Sequence, residues 1–153
     1  MIHDEVEILY VEDDQADVEL TLAAMRRGKM VNTMHIARDG AEALDFLFCQ
    51  GSHASREFSN PKFVLLDLKL PKIGGIEVLR AIRNNPRTSL LPVVILTASN
   101  EQRDLIDSYQ LHVNSYIQKP VDFAKFQQIV QQLGLYWLIV NQTAPATNSA
   151  AAG

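Results

Sequence analysis

A single cysteine, Cys49, in 153 residues leaves no internal disulfide to form. The fold must therefore rest on its core, and the chain suits a reducing compartment. Cys49 itself reads as a buried helix-face residue, not as a reactive thiol. No dense run of lysine or arginine occurs, and the net charge is −4. Direct nucleic-acid binding thus lacks its electrostatic footprint. No apolar stretch approaches the roughly 18 residues of a membrane span, and the opening MIHDEVEILY does not have the form of a signal peptide. A cytoplasmic setting without membrane contact is expected. The four histidines, His3, His35, His53 and His112, show no metal-binding spacing. Each reads as a surface or packing residue.

What is present is an ordinary globular balance, 47% apolar and 21% charged, at a length that suits one domain. Apolar patterning alternates between strand and helix. Strands are expected at Glu7–Val11, Met34–Ala37, Phe63–Leu66, Pro92–Leu96 and Ser115–Gln118. The runs at 63–66 and 92–96 are continuously apolar, as in strands covered on both faces. Helices are expected from about Gln15 to a stop at Gly28, with Val18, Leu22 and Met25 inward, and after Asp39, with Leu44, Leu47 and Phe48 inward. Asp39 and Glu42 form a variant of the capping box. Pro71 and Gly74-Gly75 mark a loop before a helix carrying Ile76, Leu79 and Ile82. Further helices are expected around Glu101–Tyr109 and, capped by Asp122, through Phe126, Ile129, Val130 and Leu133. Residues 50–60 form a polar loop. The domain is expected to span 1–140 with an extended C-terminal helix, followed by a disordered tail at 141–153.

Alternating strands and helices imply an α/β fold, a doubly wound five-stranded parallel sheet with five helices. Ligands of such sheets bind outside the carboxyl ends of the strands. Just past those ends stand Glu12 and Asp13, Asp67, Thr97 and Lys119. Three carboxylates in one crevice would repel each other, which a hard divalent cation such as Mg2+ relieves. A phosphoryl group on Asp67 would then be held by the metal, by Lys119 and by the Thr97 hydroxyl. Singly, each residue has a plainer explanation as a turn, cap or surface group. Asp14 and Asp17 read better as acids favoured at a helix N-terminus. Four strands ending by accident on the right polar group are harder to accept.

The set VEDD, LLDLKLP followed by GG, ILTAS and YIQKP resembles the receiver domain of two-component response regulators, over roughly residues 6–134. The resemblance implies a flavodoxin-like strand order, 2-1-3-4-5, and a phosphorelay protein that takes its phosphoryl group from a sensor histidine kinase. It implies Asp67 as phospho-acceptor and Glu12, Asp13, Asp67 and the backbone carbonyl of Lys69 as ligands of Mg2+, which Mn2+ can replace. Thr97 and Lys119 would bind the phosphoryl group, Tyr116 would turn inward on activation, and Lys119–Pro120 would be cis. SYQLHVNSYIQKP and the final LYWL are similar to the small regulators partnered with cyanobacterial phytochromes, which stand alone without an output domain. Two departures stand out: the metal pair is Glu-Asp instead of Asp-Asp, and the 50–60 loop is long.

Three rivals fare worse. A flavin-binding module needs a phosphate cradle where this chain has Glu12-Asp13-Asp14. An aspartate-nucleophile phosphohydrolase wants an acid two residues after the nucleophile, where Lys69 stands. A degenerate receiver serving only as a binding module would not need all five polar residues, so the chain reads as a phospho-acceptor and not as an enzyme. The apolar run Tyr136, Trp137, Leu138, Ile139 and Val140 must be buried somewhere, and either its own domain or a homodimer can cover it.

Overall fold

The computed structural model describes residues 6–29, 32–97 and 111–132, at residue 97 the backbone alone. Five parallel strands form one sheet in the order β2-β1-β3-β4-β5. They are β1 (Ile8–Val11), β2 (Met34–Ala37), β3 (Phe63–Asp67), β4 (Val93–Thr97) and β5 (Ser115–Gln118). Four α-helices occur among the described residues: α1 (Gln15–Arg27), α2 (Gly40–Phe48), α3 (Gly75–Asn84) and α4 (Phe123–Gln132). The helix expected around 101–109, the extension to 140 and the tail all lie outside them. No helix among the described residues is long and apolar enough to cross a membrane.

Strand alternation divides the core cleanly, because successive side chains leave opposite faces of a sheet. Leu9, Val11, Val64, Leu66, Val93 and Ile95 point to one face, against Ala43, Phe46 and Leu47 of α2 and Val78, Leu79 and Ile82 of α3. Ile8, Tyr10, Phe63, Leu65, Val94 and Leu96 point to the other, against Val18 and Met25 of α1 and Phe126 and Val130 of α4. With both faces covered, strands β1 and β3 are buried throughout. Polar groups on the central strands can reach water only beyond the strand ends.

Several local readings shift. The inward face of α2 centres on Ala43, Phe46 and Leu47, with Leu44 and Phe48 only partly buried at its margin. Cys49 is not on a helix face but caps α2 in the left-handed conformation, φ 55°. Gly28 ends α1 with an ordinary φ of −85°. Its missing side chain matters instead because a Cβ would lie 2.2 Å from the Phe123 ring. Gly75, read as loop, is the first residue of α3. Its N–H donates to the Leu68 carbonyl at 3.1 Å. A Cβ there would come within 2.6 Å of both the Asp67 carbonyl oxygen and Leu68 Cα.

This close approach sets the path of the chain leaving β3, and so the placement of Asp67. Gly75→Ala should destabilise the fold by about 1–3 kcal/mol through forced backbone movement. Gly74→Ala is the control, because a Cβ at 74 meets only Glu77 Oε1, at 3.9 Å. Urea unfolding of the two variants should differ clearly; equal losses would mean that the contact at Gly75 is not constraining.

Candidate functional site

Parallel register brings the strand-end residues side by side. Asp67 pairs with Leu96, one residue before Thr97, and Thr97 pairs with Gln118, one before Lys119. Glu12 follows β1 directly, with its N–H bonded to the Ala37 carbonyl of β2 at 2.9 Å. Glu12 and Asp67 are buried, 0% and 4% exposed, at the mouth of an otherwise apolar sheet. Asp13 is exposed beside them. Oxygens of Glu12, Asp13 and Asp67 all lie within 4.8 Å of one another.

One ammonium holds this group together. Lys119 Nζ lies 2.9 Å from Glu12 Oε1, 2.9 Å from Asp17 Oδ2 and 3.1 Å from Asp67 Oδ2. The Lys119–Pro120 peptide is cis. Burial alone would depress the Lys119 pKa. The hydrogen bond it donates to Asp17 and the carboxylates of Glu12 and Asp67 beside it instead raise it well above its usual value. Glu12 is also raised, against the usual direction for a carboxylate beside an ammonium. Burial and the neighbouring Asp67 push it up to about 7, against the pull of Lys119. Three carboxylates thus face one ammonium, and the most buried of them tends to keep its proton.

The donor set fits a hard cation. Glu12 Oε1 is buried and has Lys119 as ion-pair partner, but off the angle a hydrogen bond requires, so it lacks a directed donor. All the clustered donors are oxygens, as Mg2+ prefers. The Lys69 N–H donates to Asp67 Oδ1 at 3.3 Å, which fixes that carboxylate's orientation.

Two residues outside the expected set belong here. Asp17, read as a helix-terminal acid, reaches Lys119, whereas Asp14 does cap α1, accepting from Asp17 N–H at 3.1 Å. Arg38, directly after β2, donates from Nε to the Glu12 carbonyl at 3.2 Å and from Nη2 to the Asp13 carbonyl at 3.3 Å. The strand-end rule would have found Arg38 had it been applied to β2. Tyr116 lies on β5, partly buried against the α2–α3 side of the core. The Thr97 side chain, and Tyr136, Trp137, Leu138 and Ile139, lie outside what is described.

The histidines read as surface or packing residues, and His35 and His53 do pack on Phe46. His112 is exposed, but His35 and His53 converge on Glu42, at 3.2 and 3.5 Å. Burial holds the His35 imidazole below its usual pKa despite its hydrogen bond with Glu42.

A family profile for the response regulator receiver domain matches residues 8–131. The probable methanogenesis regulatory protein FilR2 of Methanothrix harundinacea is 40% identical over 136 residues, covering 89% of this chain and 86% of that protein. Response regulator Rcp1 of Synechocystis sp. is 40% identical over 131 residues, covering 86% and 88%. Among solved structures, the bacteriophytochrome response regulator RtBRR matches with TM-score 0.81 and 47% identity over 90% of this chain and 83% of that one. The Mn2+-bound form of Rcp1 matches with TM-score 0.68 and 40% identity, covering 91% and 98%. The phosphorylated cyanobacterial phytochrome response regulator RcpA matches with TM-score 0.68 and 39% identity, covering 86% and 92%.

The burial of Glu12 beside Asp67 gives a pH signature. Because Glu12 keeps its proton up to about pH 7 in the fold but only to about 4.5 ordinarily, ionising it costs stability as pH rises through that window. Glu12→Gln removes this cost. In EDTA the variant should exceed wild type by up to about 3 kcal/mol near pH 8 and by nothing near pH 4, with Mg2+ narrowing the gap. Urea unfolding at the two pH values measures it. A difference independent of pH would refute the account.

Proposed function

The chain belongs to the response regulator receiver domain family, and from that premise we propose that Asp67 accepts a phosphoryl group from a sensor histidine kinase. The observation that carries this is the position of Asp67: buried at the end of β3, with Lys119 Nζ at 3.1 Å and two further carboxylates beside it. A carboxylate oxygen of Asp67 attacks phosphorus in line. The P–N bond to the kinase imidazole breaks, the imidazole leaves with the electron pair, and an acyl phosphate forms. Glu12, Asp13, Asp67 and the Lys69 carbonyl would hold Mg2+, with Mn2+ as a substitute. Bound there, the ion supplies positive charge against the carboxylates and the incoming phosphoryl oxygens. That Rcp1 is a relative with an Mn2+-bound structure supports this assignment.

Lys119 is already paired with Glu12, Asp17 and Asp67 before any phosphate arrives. A phosphoryl group on Asp67 therefore competes for the same ammonium and loosens its hold on α1. The Thr97 hydroxyl supplies a second donor to the phosphoryl group, and its movement makes room for Tyr116 to turn inward. The protein is a cytoplasmic phospho-acceptor that assists its own phosphorylation and dephosphorylation, and it signals through its own surface. The kinase is of the phytochrome class: the likeness to RtBRR, a bacteriophytochrome response regulator, and to RcpA, a cyanobacterial phytochrome response regulator, supports this. FilR2, at 40% identity level with Rcp1, is the reason for testing other kinases alongside.

Purified chain mixed with a phosphorylated phytochrome kinase and Mg2+ should acquire one acid-labile phosphate. Asp67→Asn and EDTA should each abolish labelling, and other phosphorylated kinases should transfer at least tenfold more slowly. Acid-stable label, or full labelling of the Asn variant, would defeat the assignment of Asp67. Equal transfer from unrelated kinases would defeat only the assignment of partner.

We further propose a homodimer that buries Tyr136, Trp137, Leu138 and Ile139, supported by the apolar run they form and by the enrichment of Trp and Tyr as interface anchors. Sedimentation should show a dimer for wild type and weakening of about tenfold or more in Trp137→Ala. A wild type that is monomeric with and without phosphate would rule it out.

A further inference from the structure

The cluster of His35, Glu42 and His53 is not part of the phosphorylation chemistry. His35 comes from β2, Glu42 from the first turn of α2, and His53 from the short 3-10 turn Gly51–His53 that follows α2. His35 Nε2 is 3.2 Å from Glu42 Oε2, and His53 Nε2 is 3.5 Å from the same oxygen. All three groups offer ligand atoms within 4.8 Å of one another. Four-coordinate zinc, with bonds of about 2.0–2.2 Å, spaces neighbouring ligand atoms roughly 3.3 Å apart. The separations of 3.2 and 3.5 Å bracket that value.

The surroundings hold these groups in place. Glu42 Oε1 accepts the Arg38 N–H at 3.0 Å, which leaves Oε2 for the two imidazoles. His35 stacks on Phe46 at 4.3 Å and 8° between planes. His53 stands edge-on to both rings, at 5.2 and 5.3 Å. Arg56 lies 3.8 Å over the Phe46 ring and donates to the Phe46 carbonyl at 2.7 Å and to the Ser59 carbonyl. The 50–60 loop is thereby tied to the aromatic base on which the histidines rest. The three side chains remain 26%, 30% and 19% exposed for His35, Glu42 and His53, enough for an ion to enter and for water to complete its coordination.

We propose that His35, Glu42 and His53 bind one divalent transition-metal ion of the zinc class, with water as the fourth ligand. Two nitrogen donors and one carboxylate favour zinc over magnesium, so this centre and the all-oxygen crevice select different ions. The ion joins β2, α2 and the 3-10 turn, and closes the long 50–60 loop onto the edge of the sheet. Without it, two imidazoles share one carboxylate oxygen.

The test uses the untagged full chain in saturating Mg2+, titrated calorimetrically with zinc chloride and, separately, with Co2+ monitored by visible absorption. One equivalent should bind with micromolar affinity, and cobalt should show the intense bands of four-coordination. His53→Ala and Glu42→Gln should each weaken binding about 10- to 100-fold. Asp67→Asn and His112→Ala should leave it unchanged. Far-UV circular dichroism confirms that each variant is folded, and Glu42→Gln keeps an oxygen for the Arg38 N–H should His53→Ala unfold. Absence of zinc binding, binding unmoved in a folded ligand variant, or binding lost in Asp67→Asn would each overturn the proposal.

Discussion

The crevice depends on one ammonium among an excess of carboxylates. Lys119 meets Glu12 from the end of β1, Asp67 from the end of β3 and Asp17 from α1, all within 3.1 Å. Lys119 itself follows β5, so a single side chain ties one edge of the sheet to the inner strands β1 and β3 and to α1. One positive charge cannot neutralise the group, and burial together with the neighbouring Asp67 lifts Glu12 toward neutrality. The resting site is thus poised to accept further positive charge. That is the physical condition for a metal-assisted phosphoryl transfer, and it exists before any ligand arrives.

The sheet makes such a site possible by denying polar groups any other place. Even and odd residues of β1, β3 and β4 feed two separate hydrophobic layers. An acid one residue earlier in β3 would replace Leu66, inside a layer. Parallel pairing then aligns neighbouring strand ends to within a residue, so that Asp67, Thr97 and Lys119 follow one another across the sheet. Gly75 completes the arrangement from the outside by letting α3 start against the Asp67 and Leu68 backbone.

The strands and the strand-end residues were legible because each depends on local apolar runs and one topological rule, whereas the strand order came only with the family resemblance. What was not legible depends on contacts between distant elements. Asp17 looks like any helix-terminal acid, and its partner is 102 residues away. The histidines at 35 and 53 have no motif spacing because their ligand atoms are contributed by a strand and a turn, with a helical glutamate between them. The margins of α2 were misjudged because leucine and phenylalanine at 44 and 48 score as core, yet Ala43 and Phe46 face the sheet. Gly75 reads as a breaker in sequence, whereas its role is steric.

Arg38 belongs to two hydrogen-bond sets at once. Its backbone N–H is held by Glu42, while its guanidinium holds the carbonyls of Glu12 and Asp13. Because the guanidinium grips main-chain oxygens, substituting the Glu12 or Asp13 side chain leaves both bonds in place, whereas shortening Arg38 removes them and keeps its own N–H on Glu42. The path of the chain leaving β1 is thus held by a residue that a scan of the acids alone would never reveal.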